Sequence, residues 1–131
     1  LLARETLGNL PYISMPGVNR EPGHLYSEEP YLGEALSHTF KEVLNRRRAL
    51  ARRIYSSQNG ELYFAKEHVV AMIRSSQYFN ELTEHIRPIE FFGDVGAALA
   101  SILVVLAAFH KETSLIYCAS DMGLRGAVCV N

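Results

Sequence analysis

The sequence predicts an α/β domain with a mixed sheet, a central buried apolar helix and a C-terminal β-hairpin. Three observations carry that prediction. Short apolar runs alternate with amphipathic helical stretches, the pattern of a layered α/β domain. From Val95 to Phe109 there is no charge and only one hydroxyl, Ser101, so no face of that helix is built to meet water. The last two apolar runs, "SLIYCAS" and "GAVCV", are joined by "DMGLR", a glycine-containing connection suited to an antiparallel hairpin.

Residues 1–33 hold four of the five prolines, in "GNLPYISMPGVNREPGHLYSEEPYLG". They read as an ordered arm or loop with a short strand at Leu10–Met15. The domain proper spans 34–131. A helix starts at Glu34, with Leu36, Phe40, Val43, Leu44 and Leu50 at helical spacing. The arginines of "NRRRALARR" favour the negative end of its dipole. "RIYSSQNGE" is a strand followed by an Asn59-Gly60 turn. A second helix, "ELYFAKEHVVAMIRSS", turns Ala65, Val69, Met72 and Ile73 inward. "EHIRPIEFFGD" is a short extended piece interrupted by Pro88. It leads into the apolar helix 95–109, which falls short of the about 20 residues a membrane span needs.

Composition excludes several classes. The chain has 131 residues, a net charge of −1 and 21% charged residues. That is the size of one domain, with no basic footprint for nucleic acid and too much aliphatic content for disorder. No amino-terminal stretch has the makeup of a leader, which predicts a cytoplasmic protein. Cys118 and Cys129 make neither a disulfide framework nor a metal site and read as small apolar core residues. His24, His38, His68, His85 and His110 share no metal-ligand spacing and read as surface or edge residues. No phosphate-cradling glycine loop, Gly-x-Ser-x-Gly elbow or Cys-x-x-Cys pair is present. No cofactor and no metal are expected.

The order of elements, with "EEPYLGEALSHTF", "YSSQNGE", "FFGDVGAAL" and "CASDMGLRGAVCV", resembles the C-terminal half of a thiolase-fold condensing enzyme of the β-ketoacyl-[acyl carrier protein] synthase group. In that family a His-Gly-Thr-Gly-Thr loop and a Gly-His-x-x-Gly-Ala-Ala turn each open a helix, the second of them buried at the heart of the molecule, and a Gly-Phe-Gly-Gly loop joins the final two strands. The resemblance implies a fold in which the central helix lies between two sheets. A half unit by itself would leave the outer wall of helix 95–109 uncovered. A second sheet, from a homo-oligomer or from an N-terminal-half partner, is then expected to cover it. Acyl carrier protein or acyl-CoA would be the family's partners.

The chemistry departs from the family. A condensing enzyme needs a cysteine nucleophile next to a base or a helix N-terminus, and Cys118 and Cys129 fall inside strands. Asn59 stands at the first histidine position, where asparagine is still able to donate to an oxyanion. Gly93 stands at the second and has no side chain. The candidate substrate-binding residues are therefore Asn59, Gly93, Asp94, Ser120 and Gly123, with Asp121 beside them. A plain reading competes: Asn59-Gly60 as a turn, Asp94 as a helix cap and Asp121 as a hairpin residue. The resulting expectation is a synthase-like protein without the catalytic cysteine and histidines, acting as a structural or acyl-binding relative. Two alternatives remain: half of an active acyltransferase or synthase completed by another chain, and a small α/β interaction module.

Overall fold

A computed structural model describes residues 10–48 and 50–131 of the chain. Its elements are β1 (Gly17–Arg20), α1 (Glu34–Arg47), β2 (Arg53–Ser56), α2 (Leu62–Arg74), β3 (Glu84–Ile86), the single turn α3 (Ile89–Phe92), α4 (Leu99–Phe109), β4 (Ser114–Ala119) and β5 (Leu124–Val130). The five strands form one mixed sheet in the order β1-β5-β4-β2-β3. β2 runs parallel to β3 and β4, while β5 runs antiparallel to β4 and β1. The hairpin is tight: Gly123 N–H donates to Ser120 O at 3.1 Å and Ser120 N–H to Leu124 O at 2.9 Å.

Alternation along the strands divides the core into two layers, because successive side chains point to opposite faces. Ile54, Leu115, Tyr117, Ala127 and Cys129 meet Leu36, Phe40, Val43 and Leu44 of α1 and Ala71 of α2 on one face. Tyr55, Ile116 and Val130 meet Leu99, Leu103 and Ala107 of α4 on the other. The spacing of those three α4 residues, i, i+4, i+8, is a single inward stripe. Ser101 and the large apolar side chains of Val105 (55% exposed) and Phe109 (81%) face outward. The inner wall of the apolar helix is covered by this chain and the outer wall is open. Among the described residues no helix is long and apolar enough to cross a membrane.

Several local expectations are corrected. The strand expected at Leu10–Met15 reduces to one bridge, Ile13 with Val130. The arm's ladder instead forms at β1, and residues 1–9 lie outside the described part. Leu50 lies beyond the end of α1 and is exposed, since Arg48 turns left-handed (φ 51°) and stops the helix. On α2 the inner face is Phe64, Glu67 and Ala71, and Val69 and Ile73 are exposed. Hydrophobicity misled here because a buried ion pair takes the inner position that an aliphatic residue was expected to fill.

The arginine run serves ion pairing and stacking. Arg46 pairs with Glu42 at 2.6 Å, Arg53 with Glu84 and Glu112 at 3.5 and 2.5 Å, and Arg47 stacks over the Tyr12 ring. The arm is fastened by Glu21. Its backbone N–H donates to Gly123 O at 2.7 Å, and its buried carboxylate accepts from Ala35 N–H at 2.9 Å. This supplies an anion to the first turn of α1, whose N-cap, Gly33, has no side chain to offer.

Candidate functional site

Parallel sheets place their useful openings where the carboxyl ends of neighbouring strands release loops. β2 and β4 end side by side in Ser56-Ser57-Gln58-Asn59 and Ala119-Ser120-Asp121. A cavity of about 380 Å³ lies there, closed on its far side by the start of α4. That volume is within the ligand-cavity range of about 300–1,000 Å³. Phe64, Ile89 and Leu99 supply apolar wall; Ser57, Asn59, Glu61, Asp94 and Asp121 supply polar groups; Glu67, Tyr117 and Cys118 also line it.

The structure brings Asn59, Asp94 and Asp121 to this cavity, and Gly93, Ser120 and Gly123 are not among its lining residues. Asn59 is tied locally: its Nδ2 donates to Glu61 Oε1 at 2.8 Å, and its Oδ1 accepts from Glu61 N–H at 3.1 Å. It organises the loop before α2. Asp94 Oδ1 accepts from Gly96 N–H at 2.7 Å, a local turn two residues wide; the N-cap of the 3₁₀ turn Gly96–Ala98 is Val95 and that of α4 is Ala98, so Asp94 is not the helix cap the sequence suggested. Gly93 ends α3 with φ 79°. Ser120 Oγ accepts from Met122 N–H at 3.1 Å within the hairpin. Gly123 is required by packing: at φ +96° a Cβ there would lie 2.6 Å from Glu21 O.

Neither cysteine is placed as a nucleophile. Burial pushes the Cys118 thiol up, against a weaker opposing hydrogen bond from Ser57, and pushes Cys129 up to about 12. Both are free. Thiolate chemistry requires the opposite shift.

Two polar clusters escaped sequence reasoning. The first is the pair Glu67–Arg125, with Nε donating to Oε1 at 2.7 Å and side chains 1% and 0% exposed. Arg125 was expected in the hairpin loop; it lies on β5 and points at α2. Burial raises the Glu67 pKa, and Arg125 opposes the rise. The second cluster includes two histidines expected at the surface or an edge, and His85 does lie on the edge strand β3. His68 and His85 stack half-buried, ring centroids 4.0 Å apart. His68 Nδ1 meets Tyr117 OH at 2.9 Å, and His85 Nε2 meets Ser56 Oγ at 2.7 Å. Gln58 Nε2 donates to Tyr117 OH at 2.9 Å. Desolvation, reinforced by Arg87, lowers His68 to about 4; desolvation, His68 and Arg87 lower His85 to about 3. A sequence signal existed in retrospect. Helical spacing puts Phe64, Glu67, His68 and Ala71 on adjoining rows of α2, but their partners lie on strands distant in sequence.

The fold is that of an α/β protein with a five-stranded mixed sheet, consistent with a thiolase-like condensing-enzyme fold. A solved structure that it resembles is the tetronic acid condensing enzyme AbyA1. Identity is 11% and the TM-score 0.53, over 92% of this chain and 42% of that one. At that identity the likeness is one of fold. This chain spans less than half the length of that enzyme. No family model matches the chain, and no curated protein matches it in sequence.

Proposed function

We propose that this chain is a condensing-enzyme-like protein that binds an acyl or similar apolar chain without turning it over. It works as one part of a larger assembly in which a second sheet covers α4. The observation that carries the reading is the cavity at the carboxyl ends of β2 and β4, in a fold shared with a condensing enzyme. Its one thiol, Cys118, is held protonated, and no histidine is among its lining residues. Covalent acyl transfer needs an activated nucleophile, and the cavity wall offers a thiol shifted the wrong way and no histidine to activate it.

The test uses an uncharged probe, the N-acetylcysteamine thioester of hexanoic acid. Saturable binding is expected, with shifts of the Ser57 and Gly96 amides in NMR spectra and no mass increase of the intact chain. A covalent adduct on Cys118 would overturn the inactive reading. Absence of any binding would overturn the acyl-binding one.

A second reading, half of an active synthase completed by another chain, is favoured by one observation. The chain matches 42% of the condensing enzyme, and Val105 and Phe109 on α4 stand exposed. Native mass by light scattering addresses the shared requirement of both readings. A dimer or a complex with a longer chain is expected, and a stable 14.7 kDa monomer would count against both.

A further inference from the structure

A second cavity adjoins the first. It holds about 520 Å³ between α4 and the strands β4 and β5, with Val104, Val105, Ile116 and Val128 among its walls and Pro16 of the arm lining it as well. No charged side chain is among its lining residues. The two cavities share Ala100, Tyr117 and Cys118, so the polar opening at the strand ends and this apolar space meet along one stretch of wall.

Gly126 supplies an independent observation. It sits inside β5, where glycine weakens a strand because it packs nothing and loses the most conformational freedom on folding. Three structural reasons ordinarily place a glycine in such a position, and none applies. Its φ is not positive. Register runs unbroken through it, to Val18 on one side and Cys118 on the other, so there is no bulge. Nothing crowds the site: a Cβ there would meet only Gly17 O, at 4.0 Å. Strand alternation turns that open position to the α4 side, with Cys118 and Val128, and Gly126 lines the second cavity. The reason that remains for a strand glycine is the close approach of a bound molecule.

We propose that the second cavity holds the tail of a linear aliphatic ligand whose head group occupies the first, the chain passing over Ala100 and Cys118 and across Gly126. The inference rests on the reading of the first cavity as an acyl site and deepens it by naming the class: an unbranched, uncharged chain of medium length. Geometry sets that length. The cross-strand pairs Cys118–Gly126 and Ile116–Val128 lie two residues apart, about 7 Å along the strands. Ala100 to Val104 and Val105 is about 6–7.5 Å of helix. A staggered alkyl chain advances about 1.3 Å per carbon, for bonds of about 1.5 Å, so about five or six carbons lie in this space. Val104 and Val105, which the inward stripe of α4 does not use, are then the helix side of a binding wall. A sheet covering α4 would roof the same space.

The experiment titrates the full chain with the N-acetylcysteamine thioesters of hexanoic, octanoic, decanoic and dodecanoic acid. Affinity is read by calorimetry and contact by amide shifts. Affinity is expected to rise about two- to fourfold per added carbon, then level off once the space is filled. The Ser101 and Val128 amides should shift with the longer esters, and Ser57 and Gly96 with all of them. Gly126→Val fills the open position. It is expected to keep or raise Tm, as a β-branched residue in a strand, and to weaken the dodecanoyl ester about tenfold or more while leaving the hexanoyl ester within about twofold. A flat chain-length series with Ser57 and Gly96 still shifting would overturn the tail site and leave the acyl reading standing. Unchanged dodecanoyl affinity in G126V would do the same, and a lower native mass of that variant would then give the space to a second copy of the chain. Should G126V fail to fold, the chain-length series on the parent still decides. No shift at Ser57 and Gly96 with any ester would overturn the acyl reading and this inference with it.

Discussion

Replacing Arg125 by Met removes one half of an ion pair that is closed to water on both sides. The Met side chain follows much of the arginine stem, so the perturbation is mainly electrical. Glu67 is left 1% exposed and without its partner at 2.7 Å, a situation that costs about 3–5 kcal/mol. An independent ceiling comes from protonation. A carboxylate with an unfolded pKa of about 4.3 is neutralised at pH 7 for about 3.7 kcal/mol, at 1.36 kcal/mol per unit. The charge penalty cannot exceed that, because the group takes up a proton instead. The carbonyls of Ser120 and Leu124 also lose the Arg125 donor, adding about 1 kcal/mol that does not depend on pH. With an unfolding entropy of about 2.1 cal/mol/K per residue over 131 residues, a loss of about 4 kcal/mol lowers Tm by about 15 °C.

The sign of the pH dependence follows from linkage. Burial raises the Glu67 pKa in the folded chain, and losing Arg125 raises it further. The folded variant then holds a proton that the unfolded chain has released, so its stability falls as pH rises above the unfolded value. Relative to the parent, the deficit should shrink by about 2.7 kcal/mol between pH 7 and pH 5. Urea denaturation of parent and R125M across that range measures this directly. The double variant E67Q/R125M should recover much of the loss, because no charge is left buried. A pH 7 deficit under about 1 kcal/mol, or one that does not shrink on acidification, would refute the argument that this pair is sealed from water.

Three further outcomes are expected. Below pH 6.5 the folded chain should lose stability because His68 and His85 stay neutral to about 4 and 3 while the unfolded chain protonates. The slope approaches about 1.4 kcal/mol per pH unit for each ring. His68→Gln should flatten it in the same urea series, and an unchanged slope would count against the stacked pair as its source. Gly123→Ala forces a Cβ to within 2.6 Å of Glu21 O at φ +96°. It should cost about 1–3 kcal/mol and expose amides of the arm to hydrogen exchange, whereas an unaltered exchange pattern would show that the turn does not hold the arm. Val105→Asp together with Phe109→Asp alters side chains 55% and 81% exposed, so the single chain should keep its Tm within a few degrees. Native mass should drop to that of a monomer if α4 is the covered face, and an unchanged larger particle would place the interface elsewhere.

Periodicity and composition by themselves determined the class of fold, the helix from Glu34 and the closing hairpin, whereas the apolar helix, uniform in sequence, received its inward stripe of Leu99, Leu103 and Ala107 only from packing. The first three depend on which residues leave water, and each is written locally. The resemblance to condensing enzymes, carried by motifs at loop positions, agreed in fold with a solved condensing enzyme although identity is only 11%. Tertiary structure alone decided where the polar groups go. Glu67 and Arg125 are far apart in the chain and look like surface residues until β5 and α2 are packed together. His68, His85, Ser56 and Tyr117 come from three strands and a helix, and nothing in their spacing foretells a stack. The cavity stands between the two cases: the resemblance grouped Asn59, Asp94 and Asp121, and the fold brings them to one opening because β2 and β4 end side by side next to the start of α4. Hydrophobic burial is a sum over local choices and leaves a local trace. Pairing of buried polar groups depends on strand order and register, which only the assembled sheet sets.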